Sequence, residues 1–169
     1  MENQVIEAIR QRRSVRRFTE EPVSPEDLTA VLEAGRWAPS GENNQPWRFV
    51  IVEGREKKEE LAALTRSSRV IKEAAVCLAV FLDKEACYHL VKDSQATGAC
   101  LQNMLLAAHA RGLGAVWLGE ILKNSERVRE CLGLSPMMEL QAVVALGHPQ
   151  HRRQTSERRP LDELIVGRF

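Results

Sequence analysis

Residues 99–119 read Ala-Cys-Leu-Gln-Asn-Met-Leu-Leu-Ala-Ala-His-Ala-Arg-Gly-Leu-Gly-Ala-Val-Trp-Leu-Gly, and their periodicity changes in the middle. As far as Ala110 they continue a helical segment that starts near residue 86, apolar nearly all round in this second half. Such a helix must be covered on most faces, by its own sheet or by another subunit. Gly112 has the place of a helix C-cap, and 115–118 follow as a short strand. Working outward, 75–82 is an apolar run that reads as a buried strand, 48–52 as another, and 140–146 as a fourth. Between them lie a charged helix over 55–66 and a short helix capped by Ser125 and closed by Gly133. Upstream, Ser24-Pro25-Glu26-Asp27 is a helix start with N-cap, first-turn proline and capping-box acid in register. Val5, Ile6 and Ile9 make a short amphipathic helix before it. Strands alternating with helices point to a single α/β or α+β sheet rather than a bundle. No repeat, low-complexity tract or linker divides the chain, so 1–169 is expected to be one domain.

The 169 residues carry 24 basic and 23 acidic side chains, which argues against a dedicated nucleic-acid binder. The longest apolar run, Ala74 to Leu82, is far short of a membrane span, and Met-Glu-Asn-Gln does not open a signal peptide. The expectation is a cytoplasmic protein. Cysteines 77, 87, 100 and 131 form no Cys-x-x-Cys pair, and the four histidines show no ligand spacing, so no metal is expected. Cys87 and His89 lack a third orienting group, which argues against a nucleophilic pair.

Three stretches could carry chemistry. Arg10-Gln-Arg-Arg-Ser-Val-Arg-Arg17 places five arginines and a hydroxyl in eight positions of a nearly neutral chain. It reads either as a socket for a phosphate, held by guanidinium forks and Ser14, or as a solvated basic helix end. Trp37 to Trp47 is a loop bracketed by prolines and carrying Asn43, Asn44 and Gln45. Its amides could read the edge of a planar heterocycle, or could satisfy their own backbone. Gly112 to Gly119 runs helix, glycine turn, strand, the reverse of a dinucleotide fingerprint. Gly119 could admit a flat ligand close to the backbone. A second basic cluster (Arg152, Arg153, Arg158, Arg159) could fold back on the first, and the apolar end from Leu161 to Val166 suggests an arm packed on another surface.

In chain order these segments resemble the FMN-dependent nitroreductase family: Arg12-Arg13-Ser14-Val15-Arg16-Arg17-Phe18, then Ala38-Pro39-Ser40 with Asn43-x-Gln45-Pro46-Trp47. Gln102 to His109, then Gly112-Leu113-Gly114-x-x-Trp117-x-Gly119, Gly147-His148-Pro149 and Arg158-Arg159-Pro160-Leu161 extend the match over essentially the whole chain. The resemblance implies an α+β fold, a mixed, mainly antiparallel central sheet flanked by helices, in an intertwined homodimer with FMN at the subunit interface. It implies that Arg12, Ser14 and Arg16 hold the phosphate and ribityl region, with Arg13 near the isoalloxazine edge. Asn43 and Gln45 would hydrogen-bond the ring, Pro39 and Ser40 would approach from the partner chain, and Leu118 and Gly119 would lie against the ring. Arg158 or Arg159 would close on the phosphate.

The implied activity is ping-pong: NADH or NADPH gives hydride to flavin N5, and a nitroaromatic, quinone or similar small acceptor takes the electrons. The flavin carries the chemistry, so no catalytic side chain is expected. The same socket would serve a flavin storage or sensing protein. The chain is shorter than many members, whose extra helices cover the substrate pocket, which implies an open site or a bulky electron donor.

Overall fold

A computed structural model describes residues 3–169, and its centre is a four-stranded sheet. The strands are β1 (Trp47–Val52), β2 (Val76–Asp83), β3 (Gly114–Leu118) and β4 (Met138–Gly147). They lie in the order β1-β2-β4-β3, each neighbouring pair antiparallel. Every residue of β2 is buried, as its unbroken apolar sequence requires of a strand covered on both faces. Val76, Leu78 and Val80 face one core, while Cys77, Ala79 and Phe81 face the other.

Among the described residues six helices surround the sheet: α1 (Gln4–Gln11), α2 (Pro25–Arg36), α3 (Arg55–Ala62), α4 (Ser68–Glu73), α5 (Leu90–Ala110) and α6 (Ser125–Cys131), of which α1 lies outside on α5 and buries no residue. The α5 helix supplies Ala96, Cys100, Leu101, Met104, Leu105 and Ala108 to one core, and α2 packs across it through Gly35. A β-carbon at Gly35 would stand 2.7 Å from Met104 Cγ, so the two helices meet at backbone distance there. The helix α5 ends in a Schellman cap: Leu113 N donates to Ala108 O (2.8 Å), Gly112 N to His109 O (3.1 Å), and Gly112 has φ +76°. Ser24 Oγ accepts from Asp27 N at 3.0 Å, the cap read from the sequence.

Several elements differ from expectation. The strand expected over 48–52 runs from Trp47 to Val52 at the sheet edge, and only those two end residues are buried, because no further strand pairs with its outer side. The 55–66 helix breaks after Ala62, where a turn leads into α4, a six-residue helix the charge pattern hid. The α5 helix begins at Leu90, not 86, since residues 84–86 form a turn after β2. Ser125 is the first residue of α6, with Asn124 in the cap position. The last nineteen residues are exposed apart from Gln154, and their apolar side chains find no cover on their own chain. Among the described residues no helix is long and apolar enough to cross a membrane.

Candidate functional site

Only the start of the arginine-rich segment is a helix end, with Arg10 in the last turn of α1 and Arg12 at its cap. The helix α1 stops at Gln11, and residues 12–18 continue as extended chain laid along the edge of β3. Ser14 forms a parallel bridge with Ala115, Val15 N donates to Ala115 O (3.0 Å), and Phe18 bridges Pro149. Val15 and Phe18 turn into the core, which pins the register and leaves the polar side chains between them at the surface. Arg17 is spent on an ion pair with Glu73 at 3.0 Å. Arg16 is exposed and reaches only Ser14 O, at 3.5 Å.

Arg12 and Arg13 instead line a cavity of about 300 Å³ with Val15, Leu105, His109 and Arg152. Arg13 Nη1 donates to Arg10 O and to Arg12 O, while its Nε is buried without a partner. An unpaired buried guanidinium N–H is costly unless an anion meets it. Burial pulls the pKa of Arg12 below its ordinary value, and Arg13 and Arg158 pull it the same way. The His109 imidazole is likewise held below its ordinary range by burial, then by Arg152, Arg12 and Arg13. Arg152 donates to Gly112 O at the end of α5, so the tail does fold back on the first cluster. Arg158 and Arg159 are both exposed and neither lines the cavity, but Arg158 is close enough to Arg12 for its charge to act on it. His109 closes the Gln102 to His109 segment of the resemblance, and the signal for a role of its own is a titratable group in an apolar helical stretch.

The amide loop lies at the other end of α5. Asp93 and His109 are separated by about 24 Å at 1.5 Å per residue. The loop's backbone is strained: Glu42, Asn43 and Gln45 have φ of 53°, 57° and 47°. Hydrogen bonds hold it there. Ser40 Oγ accepts from Gln45 N (3.0 Å), and Gln45 Nε2 donates to Asn43 O (3.0 Å). Asn44 Nδ2 donates to Asp93 Oδ1 (2.7 Å) and Ala86 O (3.0 Å). Asn44 is therefore the structural amide. Asn43, Gln45 and Pro39 are exposed, and Ser40 is half-buried.

Asp93 itself is fully buried and also accepts from Tyr88 N (3.0 Å) and His89 N (2.9 Å). Burial pushes its carboxyl up, but donors from His89, Asn44, Tyr88 and Cys87 outweigh that and hold it below the ordinary value. The Cys87 thiol is pushed up to about 11, by burial and then by Asp93, which leaves it a poor nucleophile.

Between these two ends runs β3. Leu118 is buried at its end, and a β-carbon built on Gly119 meets no atom within 4 Å. Trp117 is half-exposed and stands 3.8 Å from the β-carbon position of Gly98 on α5. Four strand residues carry the chain about 13 Å from Ala115, beside the basic cavity, to the open backbone at Gly119.

The chain matches the nitroreductase family model over residues 9–73 and 62–148. It is 33% identical over 150 residues to an Archaeoglobus fulgidus protein assigned as an NADH dehydrogenase/NAD(P)H nitroreductase, covering 86% of both chains. It is 31% identical over 175 residues to the NADPH-flavin oxidoreductase of Vibrio harveyi, covering 96% of this chain and 73% of that one. A Desulfovibrio desulfuricans protein assigned as a nitroreductase, solved in complex with FMN, superposes with a TM-score of 0.96 at 50% identity. That match covers 100% of this chain and 99% of the other.

Proposed function

Because the chain belongs to the nitroreductase family, we propose that it is an FMN-dependent NAD(P)H oxidoreductase, working as a homodimer with a small nitroaromatic, quinone or similar organic acceptor. One observation carries the cofactor assignment. A cavity lined by three guanidinium groups, one with a buried unpaired Nε, opens at the start of a strand whose far end exposes bare backbone. The first suits a phosphate, the second a flat ring, and the strand between them has the length to join the two.

FMN supplies the two-electron chemistry when bound, accepting hydride from NAD(P)H and passing electrons to the acceptor in a ping-pong cycle. The chain's own residues bind and orient. Arg12, Ser14 and Arg16, with Arg158 from the tail, hold the phosphate and ribityl region, and Arg13, which lines the same cavity, offers its unpaired Nε to the phosphate rather than reaching the ring edge. Arg158 rather than Arg159 takes that place because it lies by Arg12. Leu118 and Gly119 bound one face of the ring, and no side chain need act as a nucleophile.

The strained loop supplies Asn43 and Gln45 to the ring's polar edge, and Pro39 and Ser40 from the partner subunit. A second copy is the natural cover for Leu161, Leu164, Val166 and Phe169, all exposed on the isolated chain.

The visible spectrum of the purified protein, before and after anaerobic NADH or NADPH, tests this reading. Flavin bands that bleach identify the reductase and its donor. Bands that persist point to a storage role, and a colourless protein that takes up no added FMN overturns the cofactor assignment.

A further inference from the structure

No flavin role is assigned to His109 by the resemblance, yet it lines the cavity assigned above to the phosphate end. Every charged side chain on that cavity wall is basic: Arg12 and Arg13 from the segment after α1, Arg152 from the tail, and His109 from α5 itself. Gln11 and Gln154 complete its polar lining. Among the described residues no carboxylate lines it, and Glu7, which approaches Gln11, is bonded to the Gln11 amide at 2.8 Å. An imidazolium here would face three guanidinium groups with no counter-ion, so the free cavity favours the neutral ring. A phosphate dianion entering the cavity reverses that balance, because two negative charges then face the ring at short range.

We propose that His109 is a proton-coupled phosphate ligand: FMN binding charges it, and the bound phosphate holds it as the imidazolium. This deepens the flavin reading of the same site and rests on it. Its function would be to tie cofactor retention to pH. The ordinary imidazole value is 6.5, and the free-state value lies below it. The bound value lies above the free one, so each FMN bound takes up a proton between the two. Affinity therefore rises as the pH falls through that window, by at most about tenfold per pH unit for one proton. Below about pH 6 the phosphate itself protonates and reverses the trend.

The test uses the holoprotein. FMN release on dilution is read by recovery of flavin fluorescence from pH 6.5 to 8.5, for wild type and His109→Gln, and riboflavin is titrated in parallel. The expected result is an FMN Kd that falls several-fold from pH 8.5 to 6.5 in wild type. The same series is flat in His109→Gln, and riboflavin, lacking phosphate, shows no slope with either protein. FMN retained with the same pH profile in wild type and His109→Gln overturns the proposal and leaves the flavin assignment standing. Failure to hold FMN at any pH overturns both.

Discussion

The side chain of Val15 occupies the place where Gly114 would carry a β-carbon: its Cγ1 and Cβ lie 2.7 and 2.8 Å from that position. Gly114 pairs across the sheet with Gly147, whose own β-carbon position stands 3.0 Å from Phe18 Cδ1. Two facing glycines thus make the trough in which the arginine-bearing segment lies. Val15 is β-branched and stiff at χ1, so it cannot swing aside. Gly114→Ala is expected to destabilise the fold by about 1–3 kcal/mol, the usual cost of overpacking, and to weaken FMN binding by displacing Ser14. Urea unfolding and flavin titration of the variant check both. Only removal of the Val15 Cβ as well relieves the clash, so Gly114→Ala/Val15→Gly should be more stable than the sum of the two single losses allows.

Asp93 governs the amide loop at the opposite end of α5. Asp93→Ala leaves Tyr88 N and His89 N without their acceptor, at a cost of about 1–3 kcal/mol for each left unsatisfied, and leaves Asn44 Nδ2 with Ala86 O alone. The expected signature is faster hydrogen exchange at Tyr88 and His89, with loss of the ring-reading loop. The pH dependence has a fixed sign. The folded-state pKa lies below the ordinary 3.8, so the stabilisation is fully present above that value and is lost as the pH falls through the depressed one. The stability gap between wild type and Asp93→Asn should therefore be constant above pH 4 and close below it. A gap that persists into stronger acid would show that the carboxylate charge is not what holds the loop.

Much of this arrangement was legible in the sequence where one signal decided the outcome. The apolar run of β2 fits only a doubly covered strand, Ser24-Pro25 fits only a helix start, and Gly112 stands just past the helix α5 where its left-handed φ closes the cap. The arginine run was ambiguous because charge density does not say whether the chain is helical. The pairing of Ser14 with Ala115, a contact across one hundred residues, settles that, and no local pattern encodes it. The sequence offers the second basic cluster as able to fold back on the first, but that Arg152 does so, and meets His109 where the tail crosses the end of α5, is again a long-range contact. The short β1 looked buried because its residues are apolar, but burial depends on neighbours, and an edge strand has one fewer.

Arg16 and Arg17 are adjacent and alike, yet they should behave differently. Arg17 already has Glu73 as a partner, whereas Arg16 is exposed with one long contact to Ser14 O. Arg16→Ala is expected to weaken FMN binding about 10- to 100-fold, the range of roughly 1.5–3 kcal/mol for a charge-assisted hydrogen bond. Riboflavin binding should hardly change. Arg17→Ala should leave FMN affinity close to wild type and alter only stability, slightly, as a partly exposed ion pair does. Unchanged flavin content in purified Arg16→Ala would remove Arg16 from the phosphate site.

The tail offers the sharpest test of the assembly. Leu161 and Leu164 are 73% and 60% exposed, and Val166 and Phe169 are fully so. On α1, Val5, Ile6 and Ile9 also face outward, so apolar surface lies bare at both ends of the chain. Side chains of this size contribute about 1.5–3 kcal/mol each when fully buried, enough for a few of them to decide an association equilibrium. Sedimentation of wild type should give a dimer at micromolar concentration. Deletion of 161–169, or the pair Leu164→Asp and Val166→Asp, should shift it toward monomer. FMN should be lost in parallel, because Pro39 and Ser40 then no longer reach the flavin from the partner. A variant that becomes monomeric yet keeps full flavin content would place the whole site within one chain and remove the partner's loop from it.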